Sequence, residues 1–260
     1  MNTSVQAVEQ DVATTRAVAQ ILSGIRFETL PAHVVTFAKH CFLDWLGVTI
    51  AGAREPLTAI LRQEAAEQGG AAVNTLIGSG EKTSPQWAAL INGAASHALD
   101  FDDVVSAMGG HPSVPVFPAL LASAESGHAD GRAFIAAFVA GFEAECRVGS
   151  LMSPGHYARG FHATGTVGAF GAAAACAHLA GFDLERWQTA FGIAGAQAAG
   201  LKCMFGTMTK PFHAGKAAAN GLLAARLAEK GFTASLEVLE ADQGFASTQT
   251  DTPNPAAATA

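Results

Sequence analysis

Strand-like alternation of apolar and polar residues is nearly absent from this chain, which argues against a sheet-built fold and for an all-α one. Cysteine is scarce: Cys41, Cys146, Cys176 and Cys203 lie far apart and form no C-x-x-C pair. Each sits in apolar sequence, which favours buried free thiols in a reducing cytoplasm over disulfides or a zinc site. Charge is also sparse, at 14% of residues, and no run of lysine or arginine interrupts a net charge of −7. Nucleic acid is therefore not an expected partner. The most apolar long stretch, "TGTVGAFGAAAACAHLAG" over 164–181, is mostly Ala and Gly and carries His178. It is too short and too weakly hydrophobic to read as a membrane span. The opening "MNTSVQAVEQDVATTR" is polar and acidic, unlike a secretory leader.

What is present is a large apolar fraction, 50% of 260 residues, dominated by Ala and Gly. Small side chains let helices approach closely, so the composition predicts a tightly packed helical body. Apolar residues recur at three- and four-residue spacing over 12–23 and 31–52, with Pro31 suited to a first turn. Residues 56–70 read as a helix stopped by glycines, and 73–80 as a short extended piece. Over 84–103, Ser84 and Pro85 give a helix start signal. Further helices are expected near 114–126, 131–149, 165–180, 183–199 and 213–230. The polar, proline-containing "STQTDTPNPAAATA" over 247–260 reads as a structureless tail, leaving 1–246 as one domain without a linker.

Charge is unevenly spread. Seven of the fifteen basic residues (Arg147, Arg159, Arg186, Lys202, Lys210, Lys216, Arg226) fall in 146–228, against Asp183 and Glu185 as the acids of that span. A locally positive region can attract a small anion. A buried small-residue region that excludes acids is the plainer account.

Three stretches carry candidate chemistry. In "HALDFDDVVSAMGGHPS" (97–113), Asp100, Asp102 and Asp103 fall within four residues. A helix continued through Asp103 would put His97, Asp100 and Asp103 on one face and turn Asp102 away. Acids at a helix C-terminus oppose the dipole and need a cation, a metal or a role as base. Pro112 and Ser113 can start a new helix, placing His111 at its positive end. An exposed acidic helix end with a surface histidine is the plain alternative. In "GHYARGFHATGTVGAFGAAAA" (155–175), His156, Arg159 and His162 precede a small-residue helix that Thr164 or Thr166 can cap, a donor set suited to a carboxylate. A surface loop with packing histidines is its alternative. In "GTMTKPFHAGKAAANG" (206–221), the proline pushes Lys210 out of α geometry onto a turn, Pro211 opens a helix, and His213 falls in its first turn. A solvated lysine before an Ala-rich core helix would look the same.

Taken with "DWLGVTIAG" (44–52), "AALINGAASHALDFDD" (88–103) and "HPSVPVFPALLA" (111–122), these stretches resemble the MmgE/PrpD family in order and spacing. The resemblance covers most of 10–246. It implies a helical main domain, usually in a homodimer, and metal-free, cofactor-free lyase or epimerase chemistry on small di- or tricarboxylic acids such as 2-methylcitrate or cis-aconitate. By position, Asp100, His111, His162 and Lys210 match the family's proposed catalytic residues, and His213 its lysine-proline-x-histidine motif. Arg159 and Thr164 join His213 as expected substrate-binding residues. Val104 stands where family members often carry threonine, and the loop to His111 is a residue longer. The resemblance stops near Gly244–Phe245, ahead of the family's smaller α+β lid domain, so the expectation is a fragment, a truncated gene product, or one half of a two-chain enzyme whose lid a separate chain supplies. Two further readings remain: a carboxylate-binding or oligomerisation module without catalysis, and a Mg²⁺-dependent all-α enzyme using "DFDD". The second needs another acidic cluster on a facing helix, which the acid-poor 146–228 region lacks.

Overall fold

The computed structural model describes residues 13–127 and 129–260, so most of the polar N-terminal stretch lies outside the described residues. The helices α1 (Thr14–Ser23), α2 (Ala32–Gly52) and α3 (Pro56–Gln68) lead to a two-residue antiparallel pair, β1 (Asn74–Thr75) and β2 (Lys82–Thr83). The body follows as α4 (Pro85–Ser96), α5 (Ser113–Gly127), α6 (Gly131–Met152), the one-turn α7 (Gly155–Ala158), α8 (Ala163–Leu179), α9 (Leu184–Gln197) and α10 (Thr209–Glu229). The chain closes with α11 (Phe245–Gln249) and α12 (Pro255–Thr259). The all-α expectation holds, and apart from the helix read over 84–103 the helix spans agree with the spacing signals to within a few residues.

The centre is α8. Every residue from Ala163 to Ala177 is buried. A helix apolar all round has to be enclosed, and α5, α6, α9 and α10 enclose this one. Glycine sets the approach distances. A methyl group added at Gly93 would lie 2.8 Å from the Gly215 Cα, so α4 and α10 cross backbone to backbone. Gly168 admits Pro115 of α5, and Gly171 admits the Glu145 side chain of α6. On the other side of α5, Trp45, Phe117 and Phe138 form a second core, with the Phe117 and Phe138 rings stacked at 4.0 Å. Here α2 contributes Ala38, Cys41 and Trp45. By length and composition α2 is apolar enough to cross a membrane, and its outer face leaves Phe37, Leu43 and Ile50 exposed by half or more.

Several expectations need correction. The 247–260 segment is folded, not structureless. Just ahead of it, Phe245 packs on Phe170 with ring centroids 4.8 Å apart, and within it Thr250 and Ala258 are buried. Asn254 caps α12 through its Oδ1, with Pro255 in the first turn, and Arg147 donates to the carbonyls of Ala258 and Ala260. The helix expected to run through Asp103 stops at Ser96. Lys210 lies inside the first turn of α10, because a proline there lacks an N–H that would have no helical partner anyway. Neither Thr164 nor Thr166 caps α8; both bond to other segments. Cys41 and Cys176 are buried and Cys146 half-buried, but Cys203 is exposed; all four are free thiols.

Candidate active site

After Ser96 the chain leaves the helix and runs as a loop to Pro112 before α5 begins. Asp100 adopts a left-handed φ of 58°, a conformation aspartate tolerates better than most residues. That one residue resets the direction of the side chains after it. The loop is tied across by Val105 N–H donating to the Gly110 carbonyl at 3.0 Å. Gly110 lies directly on the start of α8, and the His111 N–H donates to Thr164 Oγ1 at 3.1 Å.

Three carboxylates coexist in this loop because each meets a different set of hydrogen-bond donors or cations. Asp103 accepts from the backbone and hydroxyl of Ser113, at 3.2 and 2.6 Å, where α5 starts. Burial nevertheless pushes its pKa up, with the charges of Asp102 and Asp44 adding to the effect. Asp100, at the surface, accepts from Lys210 Nζ at 2.5 Å, where α10 starts. Burial acts to raise its pKa, and the Lys210 bond and charge outweigh it. Asp102 is buried and lies between two histidines. His97 Nδ1 is 3.0 and 2.9 Å from its two oxygens, and His111 Nδ1 is 2.9 Å from Oδ2, off the ideal hydrogen-bond axis. Burial opposes ionisation of Asp102, but the two histidines hold its pKa down at about 2. The same contact raises His111 above the usual histidine value, against the opposing effect of burial.

Behind this pair the imidazoles continue inward. The His97 ring is 4.6 Å from that of His111 and stacks at 5.9 Å on that of His162. His162 Nδ1 is 3.0 Å from His213 Nδ1, so one ring donates and the other accepts. Burial, reinforced by neighbouring His97, His213 and Lys210, lowers the His162 pKa to about 3, keeping it neutral. Phe205 seals this end, edge-on to His162 and 5.4 Å from the Lys210 ammonium.

The structure therefore brings Asp100, His111, His162, Lys210 and His213 together, with Thr164 holding the His111 backbone. Arg159 is elsewhere, paired with Asp251 and the Thr248 carbonyl of the C-terminal segment. Lys202 similarly serves Tyr157, so the basic excess over 146–228 is largely structural. Sequence reasoning missed the role of His97 and the pairing of Asp102 with two histidines. Their five-residue separation becomes informative only once the helix is known to end between Ser96 and His97. Donor atoms of His97, Asp100, Asp102 and His111 lie within 4.8 Å of one another, close enough to hold a divalent cation, though Lys210 already provides a cation for Asp100. A separate apolar groove of about 560 Å³ between α2, α5 and α6, lined by Phe42, Phe117 and Phe134, includes none of these groups.

Fold and site together define an all-α domain with an acid–base cluster where the starts of α5, α8 and α10 meet. Residues 16–258 match the MmgE/PrpD N-terminal domain. The chain is 34% identical over 224 residues to the cis-aconitate decarboxylase-like protein oryM of Aspergillus oryzae, covering 83% of this chain and 46% of that protein. It is 31% identical over 237 residues to human cis-aconitate decarboxylase, covering 89% and 49% of the two chains. The enzyme of that name from Aspergillus terreus is also 31% identical, covering 88% and 48%. The chain belongs to the MmgE/PrpD family and spans about half the length of these curated relatives.

Proposed function

We propose that this domain supplies the acid–base half of a lyase site for a small di- or tricarboxylic acid, cis-aconitate being the first candidate. The observation that carries the reading is the Lys210–Asp100 pair beside the His111–Asp102 pair, with neutral His162 and His213 behind. A substrate carboxylate competes with Asp100 for the Lys210 ammonium and is drawn toward three helix starts. In a decarboxylation the bond to the leaving carboxylate breaks, CO₂ departs, and the electron pair left on carbon takes up a proton. In a dehydration a base removes a C–H proton and an acid protonates the departing hydroxyl. Both need a group that exchanges a proton near neutral pH and a fixed cation for the developing charge. His111 fits the first requirement and Lys210 the second.

A second reading is a carboxylate-binding or oligomerisation module without turnover. It is favoured by the open rim of the site, where Phe101 and Val104 are 76% and 68% exposed. A homodimer, or a partner chain that covers this rim, belongs to the same proposal. The test is an NMR assay of the chain with cis-aconitate, 2-methylcitrate and iminodisuccinate, with and without chelator, repeated with Lys210→Ala. Turnover that survives chelator and is lost in the variant supports the lyase reading. No turnover, with saturable binding of the acids, supports the second.

A further inference from the structure

We infer that His97 is a positioning residue: through Asp102 it fixes which ring nitrogen of His111 carries the proton, leaving Nε2 bare toward Asp100 and Lys210. The His97 side chain is fully buried and that of Asp102 is 1% exposed. A carboxylate only accepts, so each nitrogen facing Asp102 carries hydrogen. For His97 this is Nδ1, which spans both oxygens at 3.0 and 2.9 Å. The terminal torsion of an aspartate is broad and roughly two-fold. Contact with both oxygens restricts it, and so sets the direction of Oδ2.

Oδ2 is the atom 2.9 Å from His111 Nδ1. That nitrogen is buried and has no hydrogen-bond partner of ideal geometry among the described residues, which leaves this approach to stabilise its proton. With the proton on Nδ1, neutral His111 presents a bare Nε2; this atom is 3.6 Å from Asp100 Oδ1, beyond hydrogen-bond distance, and that oxygen already accepts from Lys210 Nζ, so no carboxylate holds a hydrogen on Nε2 as Asp102 does on Nδ1. His97 Nε2 is itself buried with no hydrogen-bond partner among the described residues, so the ring's hydrogen-bonded anchor is Nδ1. His97 thus acts through Asp102 and is not placed against the substrate. As regards turnover the inference rests on the lyase reading; as regards the His111 tautomer it does not.

The test is a long-range ¹H–¹⁵N correlation spectrum of the ¹⁵N-histidine-labelled chain. It is recorded above the pH at which His111 becomes neutral and assigned with His111→Asn. In the unmodified chain His111 should appear as the Nδ1–H form. His97→Asn, whose amide N–H can stand near the position of Nδ1, should keep that form. His97→Leu should shift His111 to a mixture or to the Nε2–H form, and the smaller His97→Ala is a second variant should leucine not fit. An Nε2–H His111 in the unmodified chain, or an unchanged Nδ1–H form in a folded Leu or Ala variant, overturns the inference. In a preparation that turns over, kcat should fall roughly ten- to hundredfold in the Leu variant with KM little changed, and recover in the Asn variant. Absence of turnover in every chain overturns the lyase reading and leaves the tautomer to decide this one.

Discussion

At the scale of single residues, the three aspartates of the 97–113 stretch are neighbours in sequence with separate partners. Asp102 is the buried member whose loss leaves two histidines without their shared acceptor, while Asp100 is 56% exposed and can be replaced by water at Lys210. Asp102→Asn should therefore destabilise the domain by about 1–3 kcal/mol in urea unfolding. Asp100→Asn should change stability by less than about 0.5 kcal/mol, since asparagine also accepts the left-handed backbone. Equal effects would mean that Asp102 is not the anchor. The sequence singled out this loop, His111, His162 and Lys210, but its helical phase put His97, Asp100 and Asp103 on one face and turned Asp102 away, whereas Asp102 is buried and Asp100 exposed. That inversion has a physical cause. Side-chain phase along a helix is predictable only until the helix ends, and the left-handed turn at Asp100 follows from tertiary contacts with α5, α8 and α10 that local spacing does not encode.

At the scale of elements, helix positions were largely legible because Ala/Gly-rich stretches alternate with clear stop and start residues. The closing segment was not, since its polar composition hid the cap formed by Asn254 and Pro255 and the burial of Phe245 and Ala258. The value of each glycine was equally invisible, because it depends on what lies across the helix. A methyl group at Gly215 would collide with the Leu90 carbonyl oxygen, whereas one at Gly47 in α2 would meet nothing within 4 Å. Gly215→Ala should cost at least about 1–3 kcal/mol by forcing α4 and α10 apart. Gly47→Ala should raise stability by about 0.5–1 kcal/mol, through helix propensity and a less flexible unfolded chain. Denaturant midpoints of the two variants should move in opposite directions, and a stable Gly215→Ala protein would refute the close crossing.

At the scale of the whole molecule, the same packing that buries small residues also buries titratable ones in their neutral forms, and this makes the domain acid-sensitive. Burial lowers His156 to about 4 and His162 to about 3, and lowers His178 and His213 in the same direction. A histidine whose folded pKa is depressed binds its proton more readily in the unfolded chain. Its contribution to stability is complete above the ordinary value of 6.5 and is lost as the pH falls toward the folded value, at up to about 1.4 kcal/mol per pH unit for each group. Glu145 works the other way. It is completely buried with neither oxygen hydrogen-bonded among the described residues, and burial raises its pKa well above 4.5, so the folded state holds its proton and loses stability as the pH rises past 4.5. Asp102, held at about 2, matters only below 3.8. Asp103 and Asp44, whose pKa burial raises, act in the same direction as Glu145, but between pH 6.5 and 4 the four histidines outnumber these three acids, so stability should fall with pH. For a domain of ordinary stability, about 5–15 kcal/mol, a large part should be gone near pH 4. Urea unfolding followed by circular dichroism at a series of pH values checks this. Glu145→Gln removes its part of the opposing slope, so the variant should gain on the unmodified chain as the pH rises above 4.5. A stability that stays flat from pH 6.5 to 4 in both proteins would show that these histidines are not buried as neutral rings.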